Sequence, residues 1–182
     1  FVAQLQQSMP SNAPQRRLPI GVSADRLLGG IDLAATLGRG RLVAERGVLA
    51  AADGGVVVVP MAERVSVAVR TTLADVLDHH VVQVARDGIS ATHAARVVVI
   101  LLDESVEDEA IHPALLDRVA FRAVLDPGVV SALEDTRAAA QAAHIRAVRA
   151  RLRQVTLDDA WTAALCTTAE LFGVASVRAV LF

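Results

Sequence analysis

No lysine occurs in these 182 residues; all 18 basic side chains are arginine. That removes any chemistry needing a lysine ammonium, including the lysine with which a glycine-rich loop grips terminal phosphates. Cysteine is nearly absent too. The single Cys166 cannot form an internal disulfide, which fits a reducing cytoplasm, and on a predicted helix it reads as a small core residue. No run of about 18 apolar residues is free of a charge or a helix breaker, so no membrane span is expected. The charged and then apolar opening of a secretory signal is also missing. A formal net charge of -2 argues against nucleic acid or another polyanion as the main partner. The chain starts at Phe1 without an initiator methionine and stops at Phe182 within an amphipathic segment, so it is expected to be a fragment.

Apolar residues make up 53% of the chain, enough for one good core with or without a small helical satellite. Four consecutive valines, Val56 to Val59, read as a strand buried on both faces, the pattern of a central parallel sheet. The short helical run Gly47 to Ala52 precedes it, closed by Gly54-Gly55. Pro60-Met61 follows it directly. In P-loop ATPases such a strand finishes in Asp-Glu, because the aspartate holds Mg²⁺ through its water shell and the glutamate polarises the attacking water. Proline and methionine can do neither. A degenerate Walker B strand end at Pro60 and Met61, in a chain without lysine, implies a scaffold that kept a shape and lost its chemistry.

Further along the chain, residues 1 to 8 read as the end of a helix and Met9 to Pro19 as a polar, proline-rich connection. Leu18 to Leu33 is loop-like and dense in glycine. Val65 to His80 places Val65, Val69, Leu73, Val76 and Leu77 at helical spacing. Val81 to Arg86 and Ile89 to His93 flank Asp87-Gly88, a hairpin signal because both central positions need positive φ. Arg96 to Leu102 is expected as a second buried strand, Asp103 to Glu109 as an acidic loop, Pro113 to Arg118 as a short helix and Ala120 to Leu125 as a third strand. Asp126-Pro127 then suits the start of a long helix reaching about Gln154. Thr156, with Asp159 three residues on, predicts the cap of another, and a last helix is expected near Ala175-Ser176. Strands alternating with helices, then helices alone, imply an α/β domain over 1–126 and an all-α helical lid domain over 127–182.

Leu18-Pro19-Ile20-Gly21-Val22 with Asp25-Arg26-Leu27-Leu28-Gly29-Gly30-Ile31-Asp32, Gly47 to Ala52, Arg86 to Ser90 with His93, Ala95 and Arg96, and Pro113 to Arg118 together resemble the AAA+ domains of magnesium chelatase subunits. The order and spacing agree over nearly the whole chain. The resemblance implies a P-loop-type AAA+ parallel sheet with a helical lid. Two subunits of that enzyme carry the domain: the I subunit is the active ATPase, and the D subunit is a degenerate copy. With Pro60 and Met61 in place of the acids, this chain resembles the D subunit. The family inserts Mg²⁺ into protoporphyrin IX at the expense of ATP, on the way to chlorophyll or bacteriochlorophyll. The implied partners are the I subunit, the porphyrin-binding H subunit and further copies in a ring, with neither nucleic acid nor a membrane span. No cofactor is expected in this chain's own cleft; ATP and Mg²⁺ sit in the partner subunit.

By the same resemblance, Arg118 matches the arginine finger that reaches a neighbour's γ-phosphate, and Arg178 matches the sensor-2 arginine of the lid. Asp103-Glu104-Ser105 stands where the family has its sensor-1 asparagine. Each has a plainer reading. Arg118 beside Asp117 suits a cap or an internal ion pair, and Arg178 a helix surface. Arg146, Arg149 and Arg153 form one helical stripe that reads as solvated or subunit-facing. His79-His80 reads as a helix end and Asp103 to Glu109 as a solvated loop or a contact for a basic partner, so neither is taken as a metal site. Trp161 reads as lid core. Three functions stay open: a non-hydrolysing AAA+ platform, an active ATPase whose phosphate loop lies before Phe1, and an interaction module of a related AAA+ pair such as a cobalt chelatase.

Overall fold

The computed structural model describes residues 2–86, 88–124, 135–152, 154–156 and 158–174. The chain divides into two compact units: Asn12–Leu116, and Phe1–Ser11 together with Asp117–Phe182.

The first unit is built on a parallel sheet. Strands β1 (Gln15–Arg17), β4 (Val56–Val59) and β7 (Val98–Leu101) lie in the order β1-β4-β7, with Arg16 beside Val57 and Val57 beside Val99. All four β4 valines are buried, as a strand covered on both faces must be. Strand β1 falls inside the stretch expected to be irregular, because Gln15-Arg16-Arg17 is exposed throughout and carries no apolar alternation. Gly55 makes the β1–β4 approach possible: a Cβ there would lie 1.9 Å from the Pro14 carbonyl oxygen. Strand β7 is half exposed rather than buried, since it has a neighbour on one side only among the described residues.

Between β1 and β4 the glycine-rich stretch forms α2 (Ala24–Leu28), β2 (Gly29–Ile31), α3 (Leu33–Arg39) and β3 (Ala44–Arg46), with β2 and β3 paired antiparallel. A short 3₁₀ turn, Ala50–Ala52, leads into β4. After β4 comes α4 (Val67–His79), where the Ser66 side chain accepts the Val69 N–H and Val69, Leu73 and Val76 form the buried stripe. Leu73 is fully buried, a contribution of about 1.5–3 kcal/mol. His80 ends the helix at φ 59°, its N–H donating to the Val76 carbonyl. The hairpin β5 (Val81–Arg86) and β6 (Ile89–Ala94) forms in the expected place, with Gly88 at φ 77° and Asp87 outside the described residues. Leu18, Leu27, Leu49, Val57, Val82 and Leu115 join one apolar core, which α5 (Pro113–Leu116) closes.

In the second unit the described elements are helices: α1 (Val2–Ser8), α6 (Asp135–Leu152) and α7 (Asp159–Leu171). Arg146 Nη1 donates to the Gln7 carbonyl at 2.6 Å and Arg149 Nη1 lies 3.0 Å from Met9 Sδ. Arg146 thus satisfies a carbonyl at the C-terminal end of α1, where cations suit the helix dipole, and Arg149 reaches the Met9 side chain just beyond it; Arg153 lies outside the described residues. The strand expected over Ala120 to Leu125 does not form at 120–124: among the described residues these have no strand partner, and Phe121 and Val124 are exposed; Leu125 lies outside the described residues. The cap of α7 is Asp158, whose carboxylate accepts the Ala160 N–H at 2.5 Å, rather than Thr156. Trp161 is 67% exposed and Cys166 is exposed, so neither is core; α7 buries the small Ala169 instead. The predicted start of the long helix at Asp126, and the last helix, lie outside the described residues.

Candidate functional site

Ligands of open α/β sheets bind at the carboxyl ends of the parallel strands. Here that edge is formed by the segments after β4 and β7. Two backbone hydrogen bonds zip the segments together past the strands: Leu102 N–H donates to the Val59 carbonyl at 2.9 Å and Ala62 N–H to the Leu102 carbonyl at 3.0 Å. Between them, Pro60 is buried and Met61 adopts φ 46°, ψ 53°, a left-handed conformation that a side chain with a Cβ enters only at a cost. Neither offers an oxygen to a hard cation or to water.

Charged groups stand directly behind them. The Glu63 side chain is fully shielded from solvent. Its Oε2 accepts the Glu104 N–H at 3.2 Å, and its Oε1 lies 3.5 Å from Arg64 Nε without a hydrogen bond of its own. Arg64 turns mainly toward Glu109: Nη2 donates to Oε2 at 2.6 Å and Nε to Oε1 at 3.1 Å. The Glu109 carboxyl is therefore held below its ordinary range by the Arg64 hydrogen bonds and then by the Val106 N–H, and Arg64 is pushed up by the same pairing. Asp103 is occupied locally, accepting the N–H and the hydroxyl of Ser105. The loop after β7 is thus fastened to the loop after β4.

Sequence reasoning located Pro60, Met61 and the acidic loop but missed Glu63 and Arg64. The available signal was their position, an acid and a base within a few residues of the carboxyl end of a buried parallel strand. Arg118 lies two residues beyond the end of α5, is half buried, and groups with the second unit. Arg178 lies outside the described residues. His79 sits 2.9 Å from Asp75 across one helical turn, as a helix-end histidine does. Among the described residues, no group of three or more His, Cys, Asp or Glu is arranged to hold a metal ion, and no helix is long and apolar enough to cross a membrane.

Residues 29–106 match the MCM P-loop domain family. The 60 kDa subunit of magnesium chelatase from Cereibacter sphaeroides is 34% identical over 167 residues, which is 91% of this chain and 26% of that protein. The 67 kDa subunit from Chlorobaculum parvum is 33% identical over 113 residues, covering 62% of this chain and 18% of that protein. These relatives are magnesium chelatase subunits. A structure of the complex between subunits BchI and BchD of magnesium chelatase, based on a single-particle cryo-EM reconstruction, aligns with a TM-score of 0.50 at 25% identity, covering 91% of this chain and 64% of that one. The parallel sheet and its helices therefore fit a P-loop AAA+ fold. The chain spans about a quarter or less of the length of these two curated relatives. The P-loop match runs through β4, Pro60-Met61 and the start of the acidic loop, so the carboxyl end of β4 lies inside the matched region.

Proposed function

We propose that this chain is the D-type subunit region of a magnesium chelatase: a non-hydrolysing AAA+ platform that forms a ring and couples the ATPase I subunit to the porphyrin-binding H subunit. The observation that carries this reading is the carboxyl end of β4. A hydrolysing site needs an oxygen ligand for Mg²⁺ and a base for water there. Pro60 and Met61 supply neither, and the acid that follows, Glu63, is buried with its carboxylate engaged by the Glu104 N–H and lying against Arg64. No lysine in these residues is on hand for a terminal phosphate. ATP and Mg²⁺ then belong to the I subunit, and the metal inserted into protoporphyrin IX is the enzyme's substrate.

In this reading Arg118 acts in trans. A guanidinium following a short helix can stabilise charge on a neighbour's transferring phosphoryl group, an effect that reaches about 10³–10⁵ in rate for such fingers. Arg178 takes the sensor-2 position of the lid. The likeness to the BchI–BchD complex supports a subunit partnership of this kind.

The test is reconstitution. The full-length protein alone should turn over no ATP above background, and adding it to I and H subunits should restore Mg²⁺ insertion. Arg118→Ala should lower the ATPase rate of the mixed assembly by at least about tenfold. An unchanged rate would remove the finger assignment.

A further inference from the structure

Three arginines from separate elements, Arg16 on β1, Arg26 on α2 and Arg46 on β3, line a groove of about 460 Å³ in the first unit. Its apolar lining includes Ile31, Val48 and Leu33, and Leu33 is 70% exposed. Asp25 and Glu45 share the rim, leaving an excess of one positive charge. Such a groove suits a short peptide that carries carboxylates around an apolar side chain, because planar guanidiniums pair bidentately with carboxylates while the apolar lining takes the rest.

This chain displays such a peptide itself. In Asp103-Glu104-Ser105-Val106-Glu107-Asp108-Glu109 every residue is exposed, and Val106 retains 59% of its surface amid the acids. The loop is pre-shaped. Arg64 holds Glu109, the Glu109 carboxylate accepts the Val106 N–H at 3.2 Å, and the Glu109 N–H returns to the Val106 carbonyl at 3.2 Å. A preformed loop loses less entropy on docking.

The sheet order decides where the loop can dock. Among the described residues, the groove is built out from β1 on one side of β4, and the loop leaves β7 on the other. Complementary surfaces on opposite sides of one strand favour a head-to-tail contact, which closes into a ring or runs on as a filament. We infer that the acidic loop Asp103–Glu109 of one copy docks in the arginine groove of the next. The inference deepens the ring part of the proposed function and names the surfaces that make it.

Charge reversal tests it on the full-length protein by sedimentation velocity. Wild type should self-associate, less so as salt rises. Arg26→Glu/Arg46→Glu in the groove, and Glu107→Arg/Asp108→Arg in the loop, should each lower the association constant by at least about tenfold. An equimolar mixture of the two variants, in which each reversed surface meets its complement, should regain assembly; circular dichroism confirms that both fold. A monomeric wild type, variants that assemble like wild type, or a mixture that stays dissociated would each overturn the contact. ATP turnover by the chain would overturn the platform reading and leave this contact standing, so the two failures are distinguishable.

Discussion

Arg64 grips Glu109 through two nitrogens, with Nη2 2.6 Å from Oε2 and Nε 3.1 Å from Oε1, joining the segment after β4 to the far end of the loop after β7. The pair sits at the sheet edge where an active nucleotide hydrolase would assemble its metal and water. It fixes the shape of the acidic loop from the segment that follows β4.

Breaking the pair should loosen the loop far more than the fold. Both partners are exposed, so Arg64→Ala should leave the melting temperature little changed. The amide protons of Glu104 and Val106 should exchange faster, read by hydrogen–deuterium exchange. Unchanged exchange at both amides would contradict the clamp.

Gly55→Ala should destabilise the first unit by about 1–3 kcal/mol, because the new methyl would meet the Pro14 carbonyl oxygen, a backbone atom that cannot move without disturbing β1. Gly54 has open space around its Cβ position but a φ of 75°, so Gly54→Ala fails through backbone strain instead. Urea unfolding of both variants measures the costs. The loss in Gly55→Ala should be accompanied by increased exchange of the Val56 N–H, which donates to Pro14.

His80→Gly should raise stability by about 1 kcal/mol. His80 is exposed and ends α4 at φ 59°, the left-handed position that glycine occupies without a Cβ penalty. A shift of the urea midpoint to higher concentration with unchanged slope is the expected result.

Acid should weaken the fold through two carboxylates. Asp53 is held below its ordinary value first by the Arg96 backbone N–H, at 2.8 Å, and then by the Arg96 side chain; Glu109 is held down by Arg64. A group whose folded pKa is depressed contributes stability above its unfolded value and loses it as pH falls through the folded one. Stability should therefore be flat near neutrality and decline below about pH 4. Asp53→Asn should make that decline shallower, by a small amount because the group is partly exposed and screened.

What the sequence revealed depended on how local the signal was. Val56 to Val59, the Val69-Leu73-Val76 stripe and the hairpin around Gly88 are each written within a few residues, and each forms where expected. Strand β1 is held by its partner, not by its own pattern; Gln15-Arg16-Arg17 gives no sign of a strand until β4 lies beside it. The β2–β3 ribbon was hidden for the same reason, since Gly29-Gly30-Ile31 reads as loop until it meets Ala44-Glu45-Arg46. In the opposite direction, Ala120 to Val124 carries β-like composition but pairs with no strand among the described residues. The candidate site shows the same division. Pro60-Met61 was legible because a strand end is a fixed place, whereas the Arg64–Glu109 pair joins residues 45 apart in sequence.

The most direct measurement is the steady-state ATPase rate of the full-length protein, alone and with the I subunit, at saturating Mg²⁺ and ATP. The protein alone should show background turnover, and the mixture a rate that depends on Arg118. Turnover by the isolated protein that survives rigorous removal of other ATPases and persists in Arg118→Ala would contradict the platform reading.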